Sequence, residues 1–598
     1  MLNWYHKIWF KLLCCVTAFT TFYLTTEPWL WCGGSEAHAD IATKEHCRVS
    51  LMSLPDILPY AYADEDVDVV NISPIASITT PTVNQQVSGF VDIIGTAGDV
   101  VPVDFSSWAL TYEPFEGIPT QIATGTTPVT DATIATWDTT QLQNGVYTIT
   151  LTTQDKSGQT ATASVQVQLV GELKVGNFRF TQQDIVIPVQ GLPITVSRTY
   201  DTLTKDRYKD LGHGWTLDIS DMDVQEDQYR EAFESISGGM IPLRIGGGRD
   251  VTITLPDGRV TVFGFELKPT TEPFTYKAVW TGPPGVFDTL IMNGDNRVYA
   301  LFGGIVYWAQ GTQDQGYEYY EVPSFTLTTV DGTKYLVEKE DLGGDYVDTG
   351  YGEYVFSQNL GAPKLTRITD TNGNSLSFRP EGITHSTGKG ITFNRDNQGR
   401  ITSIIDPSGD VAVEYGYDAA GDLTTVTQLV DKTTTPVKKV TTTFIYSEHR
   451  ITDIQDPRGP GYKPVRNYYY DDGRLWKTVD GYDREIVFTH NTDTRQEVVT
   501  DRLGHPTVYE YNNDGLVVSV TDALGNTTTY EYDANKNKIS ETNPLGQTTR
   551  YTYDAKGNVL TSTDPRGNTT TYTYNSLAQV ITTTYPSGHV TTNEYDSK

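Results

Sequence analysis

Near its end the chain repeats a tyrosine pair at one fixed interval: Tyr509/Tyr511, Tyr530/Tyr532, Tyr551/Tyr553 and Tyr572/Tyr574, each 21 residues from the next. A glycine keeps the same beat at Gly504, Gly525, Gly546, Gly567 and Gly588. Self-similarity at a period of this size marks a repeat architecture, in which each supersecondary unit stacks on its neighbours. Such chains are usually scaffolds or shells rather than enzymes.

One unit reads from Asp522 to Thr542. Asp522-Ala523-Leu524-Gly525-Asn526 is a turn, with glycine where φ must be positive. Thr527-Thr528-Thr529-Tyr530-Glu531-Tyr532 is β-branched and aromatic with period-two alternation, so it reads as a strand. Thr528, Tyr530 and Tyr532 then share one face, and Thr527, Thr529 and Glu531 the other. A second turn opens at Asp533, and a short strand around Ile539 closes the unit; Val518, Leu560 and Ile581 are the equivalent apolar positions. A hairpin with strands roughly 20 Å long cannot stand alone in water, but hairpins laid side by side form a continuous sheet. The 37 Tyr exceed the 20 Phe and 10 Trp together, which argues for a broad, wet, half-buried sheet rather than a thick dry core.

The repeat blurs upstream without vanishing. A further 21-residue unit begins at Asp480, with Phe488 and His490 at the tyrosine positions. Asp456-Pro457-Arg458-Gly459 leads to Tyr468-Tyr469-Tyr470-Asp471, and Asp406-Pro407-Ser408-Gly409 to Tyr415-Gly416-Tyr417-Asp418. A fainter copy includes Asp370-Thr371-Asn372-Gly373 and Asn397-Gln398-Gly399-Arg400-Ile401, so the array spans residues 365–598 and is clearest at 480–598. These residues resemble the Rhs or YD-repeat family, whose pattern D-P-x-G-N and Y-x-Y-D-x-x-G-N-x-L is seen in Asp564-Pro565-Arg566-Gly567-Asn568 and Tyr551-Thr552-Tyr553-Asp554-Ala555-Lys556-Gly557-Asn558-Val559-Leu560. Lys536 and Ala578 replace the turn glycine, so those two turns are expected to close differently. The resemblance implies β-sheets spiralling into a hollow shell, often around a carboxy-terminal toxin, in secreted or cell-surface bacterial proteins.

Residues 171–230 strengthen the resemblance. Gly176-Asn177-Phe178, Asp184-Ile185-Val186-Ile187-Pro188, Gly191-Leu192-Pro193-Ile194-Thr195-Val196-Ser197-Arg198-Thr199-Tyr200 and Gly212-His213-Gly214-Trp215 look like the segment that introduces such repeats. Residues 185–187 and 194–200 read as strands, and Trp215 as a packing anchor rather than a ligand site. Residues 231–364 are the least legible; 251–255, 260–265, 325–330 and 331–335 read as hairpin pieces, with Pro256-Asp257-Gly258 as one turn, of an irregular β region closing the start of the shell.

The amino terminus sets the compartment. Lys7 and Lys11 precede an apolar run over residues 12–24, too short to span a bilayer comfortably. Ala37-His38-Ala39 supplies a small-x-small cleavage site, so residues 1–39 read as a secretory signal peptide, with an uncleaved anchor as the alternative. Trp31 argues against lipidation at Cys32. Cleavage leaves Cys47 as the only thiol, with no disulfide framework and no transmembrane span in the mature chain. Residues 40–70 read as an acidic linker. Its Asp64-Glu65-Asp66-Val67-Asp68 lacks the glycine and distal glutamate of an EF-hand. Residues 71–170 form a separate all-β module, with strands at 75–78, 87–94, 107–112, 145–152 and 160–169 and a hairpin turn at Asp155-Lys156-Ser157-Gly158. Its Trp137-Asp138-Thr139-Thr140-Gln141-Leu142-Gln143-Asn144-Gly145-Val146-Tyr147 resembles bacterial immunoglobulin-like domains, which implies a sandwich of about 100 residues.

Forty-four basic against 75 acidic residues leave a net charge of −31 and a pI near 4.6, a field that repels nucleic acid and anionic membranes. The sequence holds no G-x-S-x-G, no H-E-x-x-H and no phosphate-binding glycine loop. His490, His505 and His589 follow the repeat, and Glu338, Glu340 and Asp341 read as a solvated strand edge. No catalytic, cofactor or metal residue is nominated. The fold expectation is all-β: an immunoglobulin-like sandwich followed by a YD-repeat sheet spiral forming a partial hollow shell. The function expectation is an exported, non-catalytic scaffold, the amino-terminal shell part of a toxin-delivery or contact-dependent competition protein. Its expected partners are a continuation of the shell and a toxin cargo; the alternative is a surface adhesin binding carbohydrate or neighbouring cells. The family resemblance implies a later core motif, self-cleavage region and toxin, none legible here. The chain stops at Tyr595-Asp596-Ser597-Lys598 inside a repeat, and its last open strand edge is expected to self-associate, fray or meet a partner that continues the sheet.

Export is expected to remove residues 1–39. Amino-terminal sequencing of the secreted form should begin at Asp40; retention of residues 12–24 in a membrane fraction would contradict this.

Overall fold

The turns divide the chain into strands, and one set of bonds builds them. At 522–526 the Asp522 N–H donates to the Asn526 carbonyl and the Gly525 N–H to the Asp522 carbonyl, each at 3.0 Å. The Asp522 carboxylate accepts from the N–H groups of Leu524 and Asn526 at 2.9 Å, and from Asn526 Nδ2 at 2.9 Å. Gly525 sits at φ 82°, the left-handed region that glycine enters without cost. The same backbone closure recurs at the turns opened by Asp370, Asp396, Asp406, Asp418, Asp480, Asp501, Asp554 and Asp564.

Two turns correct the sequence reading. Lys536 and Ala578, at φ 68° and 59°, occupy the glycine position in the same left-handed conformation. Their N–H groups donate to Asp533 O and Asn575 O at 3.0 and 3.2 Å, as a glycine would. The ladder on both sides over-determines the turn, so it accepts a side-chain strain of about 1 kcal/mol rather than closing differently.

The structure, a computed structural model, describes residues 73–595 apart from 115–117, 172, 227–249, 256–258, 273–274, 284, 295, 302–304, 309–317, 320–321, 349–353, 432–437 and 459–461. The leader, Cys47, the acidic linker and the turn at Pro256-Asp257-Gly258 therefore lie outside the described residues. Among those described there is no α-helix, only a 3-10 turn at Thr202–Thr204. The chain is all-β.

Residues 75–169 form a two-sheet sandwich. Ile75–Thr80, Phe90–Gly98 and Val129–Asp138 make a three-stranded sheet, and Gln85–Val87, Thr160–Leu169, Gly145–Asp155, Phe105–Pro114 and Thr120–Gly125 a five-stranded one. The stretch 87–94, expected as one strand, is broken at Gly89, whose φ is 65°. Ile93, Leu110, Ile149, Leu151 and Val167 fill the space between the sheets.

Beyond it, 34 strands run in one sheet from Asp223–Glu226 to Val590–Thr592. The sheet thus begins well before the legible repeats, and Arg297–Leu301, Ile305–Trp308, Asp341–Asp348 and Tyr354–Leu360 branch from it as side hairpins. Its first half is covered by two apolar cores, one around Phe263, Trp280 and Phe325, the other joining Ile194, Tyr200 and Trp215 to Ile401, Val426 and Phe444. After Val479, Tyr511 is the one buried apolar side chain among the described residues. There the sheet is a single wet layer.

A repeated bulge and a tyrosine hold that layer together. Tyr532 faces Lys538 and Glu531 faces Ser540, so Ile539 is an extra residue with no partner of its own. On the other side, pairing with the next strand ends at Ser540 and Arg550, which leaves the Lys538 carbonyl outside the ladder. Tyr553, second of the next tyrosine pair, donates its hydroxyl to that carbonyl at 2.7 Å. The positions Val518, Ile539, Leu560 and Ile581 are all such bulge residues. The same latch joins Tyr417 to Ile401 O, Tyr446 to Leu423 O, Tyr469 to Ile451 O, Tyr532 to Val517 O, Tyr574 to Val559 O and Tyr595 to Val580 O, at 2.5–2.9 Å. His490 takes the tyrosine's place and donates to Leu475 O at 2.8 Å. The hairpin Glu485–Asn491/Gln496–Thr500 has no bulge, and the next tyrosine, Tyr511, is the one among the described residues whose buried hydroxyl has no partner.

Removing a latch hydroxyl should therefore matter only where a carbonyl waits for it. Tyr553→Phe should cost about 1 kcal/mol and speed amide exchange in strands Lys538–Thr542 and Thr548–Tyr553. Tyr511→Phe should be neutral or stabilising by denaturant melt; equal losses would contradict the latch.

Candidate functional site

The hairpin array has two edges of turns, and one is sealed. Turns at 396–400, 418–422, 447–450, 470–474, 512–516, 533–537 and 554–558 lie along it. Asp210 O accepts from Ile401 N at 2.8 Å, Gly421 O from His213 N at 3.4 Å, and Gly176 O from Leu475 N at 2.8 Å. The sandwich continues the seal: Phe90 N donates to Asn513 O at 2.9 Å, Ser88 Oγ to Asp514 O at 2.8 Å, and Lys536 Nζ to Ser88 Oγ at 2.7 Å. Arg474 Nη2 reaches Asp138 of the sandwich at 2.5 Å, and Phe90 stacks on Tyr511. Gly89 permits this approach, because a Cβ there would lie 2.4 Å from Asn513 O. Farther along, Phe287 lies under Lys556 Nζ at 5.4 Å, and a Cβ on Gly285 would meet Lys556 O at 2.5 Å. An early loop of the sheet thus touches a late turn: the wall returns on itself.

The segment that makes the seal is anchored by a buried ion pair. Strands Arg179–Ile187 and Ile194–Asp201 pair antiparallel, which brings Arg198 Nε within 2.9 Å of Asp184 Oδ2, both side chains fully buried. Arg198 also donates to Gln182 Oε1 at 2.6 Å, and Tyr415 of the repeats donates to Asp184 Oδ2 at 2.7 Å. The guanidinium lies 4.6 Å from the Trp215 ring. Burial pushes the Asp184 carboxyl up while Arg198 and Tyr415 pull it back. Trp215 Nε1 donates to Tyr446 Oη at 2.9 Å, and Tyr446 is itself a latch. Tyr200 donates to His449 O at 2.6 Å and accepts from Ile451 N at 3.3 Å. Trp215 is the packing anchor its glycine neighbours suggested.

A second polar cluster spans the same junction. His213 of the sealing segment stacks on His449 of the array, ring centroids 3.8 Å apart. His449 Nδ1 lies 2.8 Å from Asp422 Oδ1, and Tyr208 meets His213 edge-on at 5.0 Å. Burial lowers the His213 pKa, with His449 acting in the same direction and Asp422 and Asp206 opposing. No local pattern marks this pair, because its members are 236 positions apart in the chain (449 − 213).

These groups hold the junction, with Arg198 Nη1 and His213 Nδ1 buried without a hydrogen-bond partner. An open cleft of about 760 Å³ beside it is lined by Asp184, Ile187, Lys389, Asp406, Ser408 and Gln428, where Asp406 caps its own turn. No cluster of three or more metal-type ligands occurs among the described residues. Glu338, Glu340 and Asp341 are exposed, Glu338 accepting from Thr366 Oγ1 at 2.6 Å. Of the repeat histidines, His490 is a latch, His505 lies 3.5 Å from Asp501 and His589 stacks on Tyr585.

The RHS repeat family model matches residues 395–430, 511–548, 537–569 and 553–592, where bulge, latch and turn recur together. These stretches are RHS repeats. Among solved structures, a Tc holotoxin pore of Photorhabdus luminescens carrying a TccC3 mutation aligns at 12% identity over 73% of this chain and 23% of that one, with a TM-score of 0.30. A complex described as TcdB2-TccC3 without its hypervariable C-terminal region aligns at 10% identity over 75% and 28%, with a TM-score of 0.16. The chain thus spans about a quarter of the length of those two. No curated protein matches it.

The histidine stack makes the seal sensitive to acid. The folded state keeps His213 neutral below its usual pKa, so this contribution is present at neutral pH. It is lost as pH falls from about 6.5 through the lowered folded value. The turn carboxylates behave alike, since the side-chain hydrogen bond from Asn526 holds Asp522 below its usual range, but they titrate only near or below pH ~4. Melting temperature should therefore drop between pH 7.5 and 5.5 (roughly one unit either side of the unperturbed value), and His213→Gln should make that drop smaller, leaving the part due to His490, whose pKa burial also lowers. An equal drop in the variant would contradict the assignment.

Proposed function

We propose that this chain is a wall segment and sealed end of an exported toxin-delivery shell, with no chemistry of its own. The observation that carries the reading is the asymmetry of the array. One edge is closed by 171–217 and the sandwich, and the wall returns on itself at Gly285 and Lys556. A wall sealed at one edge suits enclosure of a second polypeptide better than display of a binding face. Association with further toxin components follows from the reading. The sandwich serves as an immunoglobulin-like clamp on the sealed edge. The last strand, Val590–Thr592, pairs on one side only among the described residues.

Tagged protein recovered from the medium of its own host tests this. The shell reading expects a co-purifying polypeptide that survives protease until the shell is unfolded, identified by mass spectrometry. Recovery with no shielded polypeptide, together with saturable binding to a glycan array, would replace it with the adhesin.

A further inference from the structure

One hairpin of the array carries polar atoms that its fold does not use. In Glu485–Asn491/Gln496–Thr500, His490 stands at the latch position and its Nε2 bonds Leu475 O at 2.8 Å. A carbonyl only accepts, so Nε2 carries the ring proton and Nδ1 keeps a bare lone pair. A tyrosine would make the same latch and leave nothing over. His490 Nδ1 is buried without a hydrogen-bond partner, in a side chain 3% exposed. Directly opposite in the ladder, Glu497 brings a carboxylate oxygen within 3.5 Å of that nitrogen. Its side chain is 17% exposed, and burial alone acts on its pKa, raising it. On the next strand Tyr511 lies diagonally across from Glu497 on the same face. Its hydroxyl is the third buried polar group here without a partner.

We propose that His490 Nδ1 and Glu497 are ligands of a divalent ion of the zinc class, which staples the two strands of this hairpin. The spacing carries the assignment. A hydrogen bond between carboxyl and imidazole would draw them to about 3.2 Å or less, and two facing lone pairs repel. Two ligands held about 2.1 Å from one ion at the tetrahedral angle lie about 3.4 Å apart. The imidazole is also set as a ligand usually is, with its N–H fixed on a backbone carbonyl and the other nitrogen free. A mixed nitrogen and oxygen pair suits zinc, whereas calcium and magnesium take oxygen. Burial pushes the Tyr511 phenol up to about 12, so it stays protonated and donates a hydrogen bond rather than ligating. The site therefore lies outside the clusters of three or more His, Cys, Asp or Glu, and it binds more weakly than a four-ligand structural site. Arg474, a cation that acts on His490, is neutralised by Asp138 and Asp472 at 2.5 and 2.6 Å. The staple falls on a late hairpin that has no bulge, and it stands whether or not the wall encloses cargo.

Zinc sulfate titrated into the chelator-treated full chain tests this by calorimetry and by melting temperature. One ion per chain should bind more tightly than the loose background of an acidic surface. Melting temperature should rise with zinc, because a ligand of the folded state stabilises it. Affinity should fall roughly tenfold or more in Glu497→Gln and in His490→Tyr, the second of which keeps the latch by restoring the residue of the neighbouring repeats. It should also fall between about pH 7.5 and about pH 5.5, where protons compete for Nδ1. If a variant loses its circular dichroism spectrum, zinc-edge X-ray absorption on the unaltered chain decides. An imidazole nitrogen beside oxygen ligands supports the site, and oxygen ligands alone overturn it. Absence of a one-to-one ion, or equal binding by the chain and both variants, which would mean an adventitious ion only, would overturn it as well.

Discussion

The bond from a tyrosine hydroxyl to a bulge carbonyl is the interaction on which the late array depends. An antiparallel sheet satisfies its own amides, but each bulge leaves one carbonyl outside the ladder, and a bare buried carbonyl is costly. The next hairpin supplies the donor from 15 residues downstream. Because Tyr532 both receives a bulge opposite itself and latches the previous one, each hairpin that carries both devices is tied to its two neighbours, and the 485–500 hairpin is tied to only one. Stability in such a system is close to a sum over nearest-neighbour contacts. That explains how a sheet can run on for many strands after its apolar cores end.

The edges then divide the labour. On the sealed edge the carbonyls of Gly421, Asn513 and Asp514 accept from His213 and the sandwich, and the N–H groups of Ile401 and Leu475 donate to Asp210 and Gly176, so long-range docking uses backbone groups that turn closure leaves free. On the open edge the equivalent atoms meet solvent and only the side chains vary. The buried Arg198–Asp184 pair and the stacked His213 and His449 lie at the junction, where loss of one partner would leave a charge or a ring without its counterpart. Such groups contribute little net stability but penalise any misplacement of the seal.

Much of the array was legible from residues. Tyrosine alternation and the aspartate–glycine turns set the strands 527–532, 548–553 and 569–574, because both signals are local and repeated. The bulge was not legible, since Lys538 and Ile539 look like ordinary members of one strand and only the pairing shows which is extra. The turns at Lys536 and Ala578 were misread by treating glycine as a requirement, when the flanking ladder can hold another residue at positive φ. In the sandwich, strands Thr120–Gly125 and Val129–Asp138 escaped notice, as their threonine- and alanine-rich segments lack an apolar alternation. The seal depends on contacts such as Ser88 with Asp514, 426 residues apart, for which no local pattern exists.

Native-state hydrogen exchange along the whole array tests the central claim most directly. If latches hold the single layer, ladder amides stay protected past Val479, through strands 527–532, 548–553 and 569–574, with a dip around 496–511, where the bulge is missing and Tyr511 makes no latch. If apolar burial alone holds the sheet, protection tracks the cores and collapses after Val479, with no local dip. The second pattern would contradict the account.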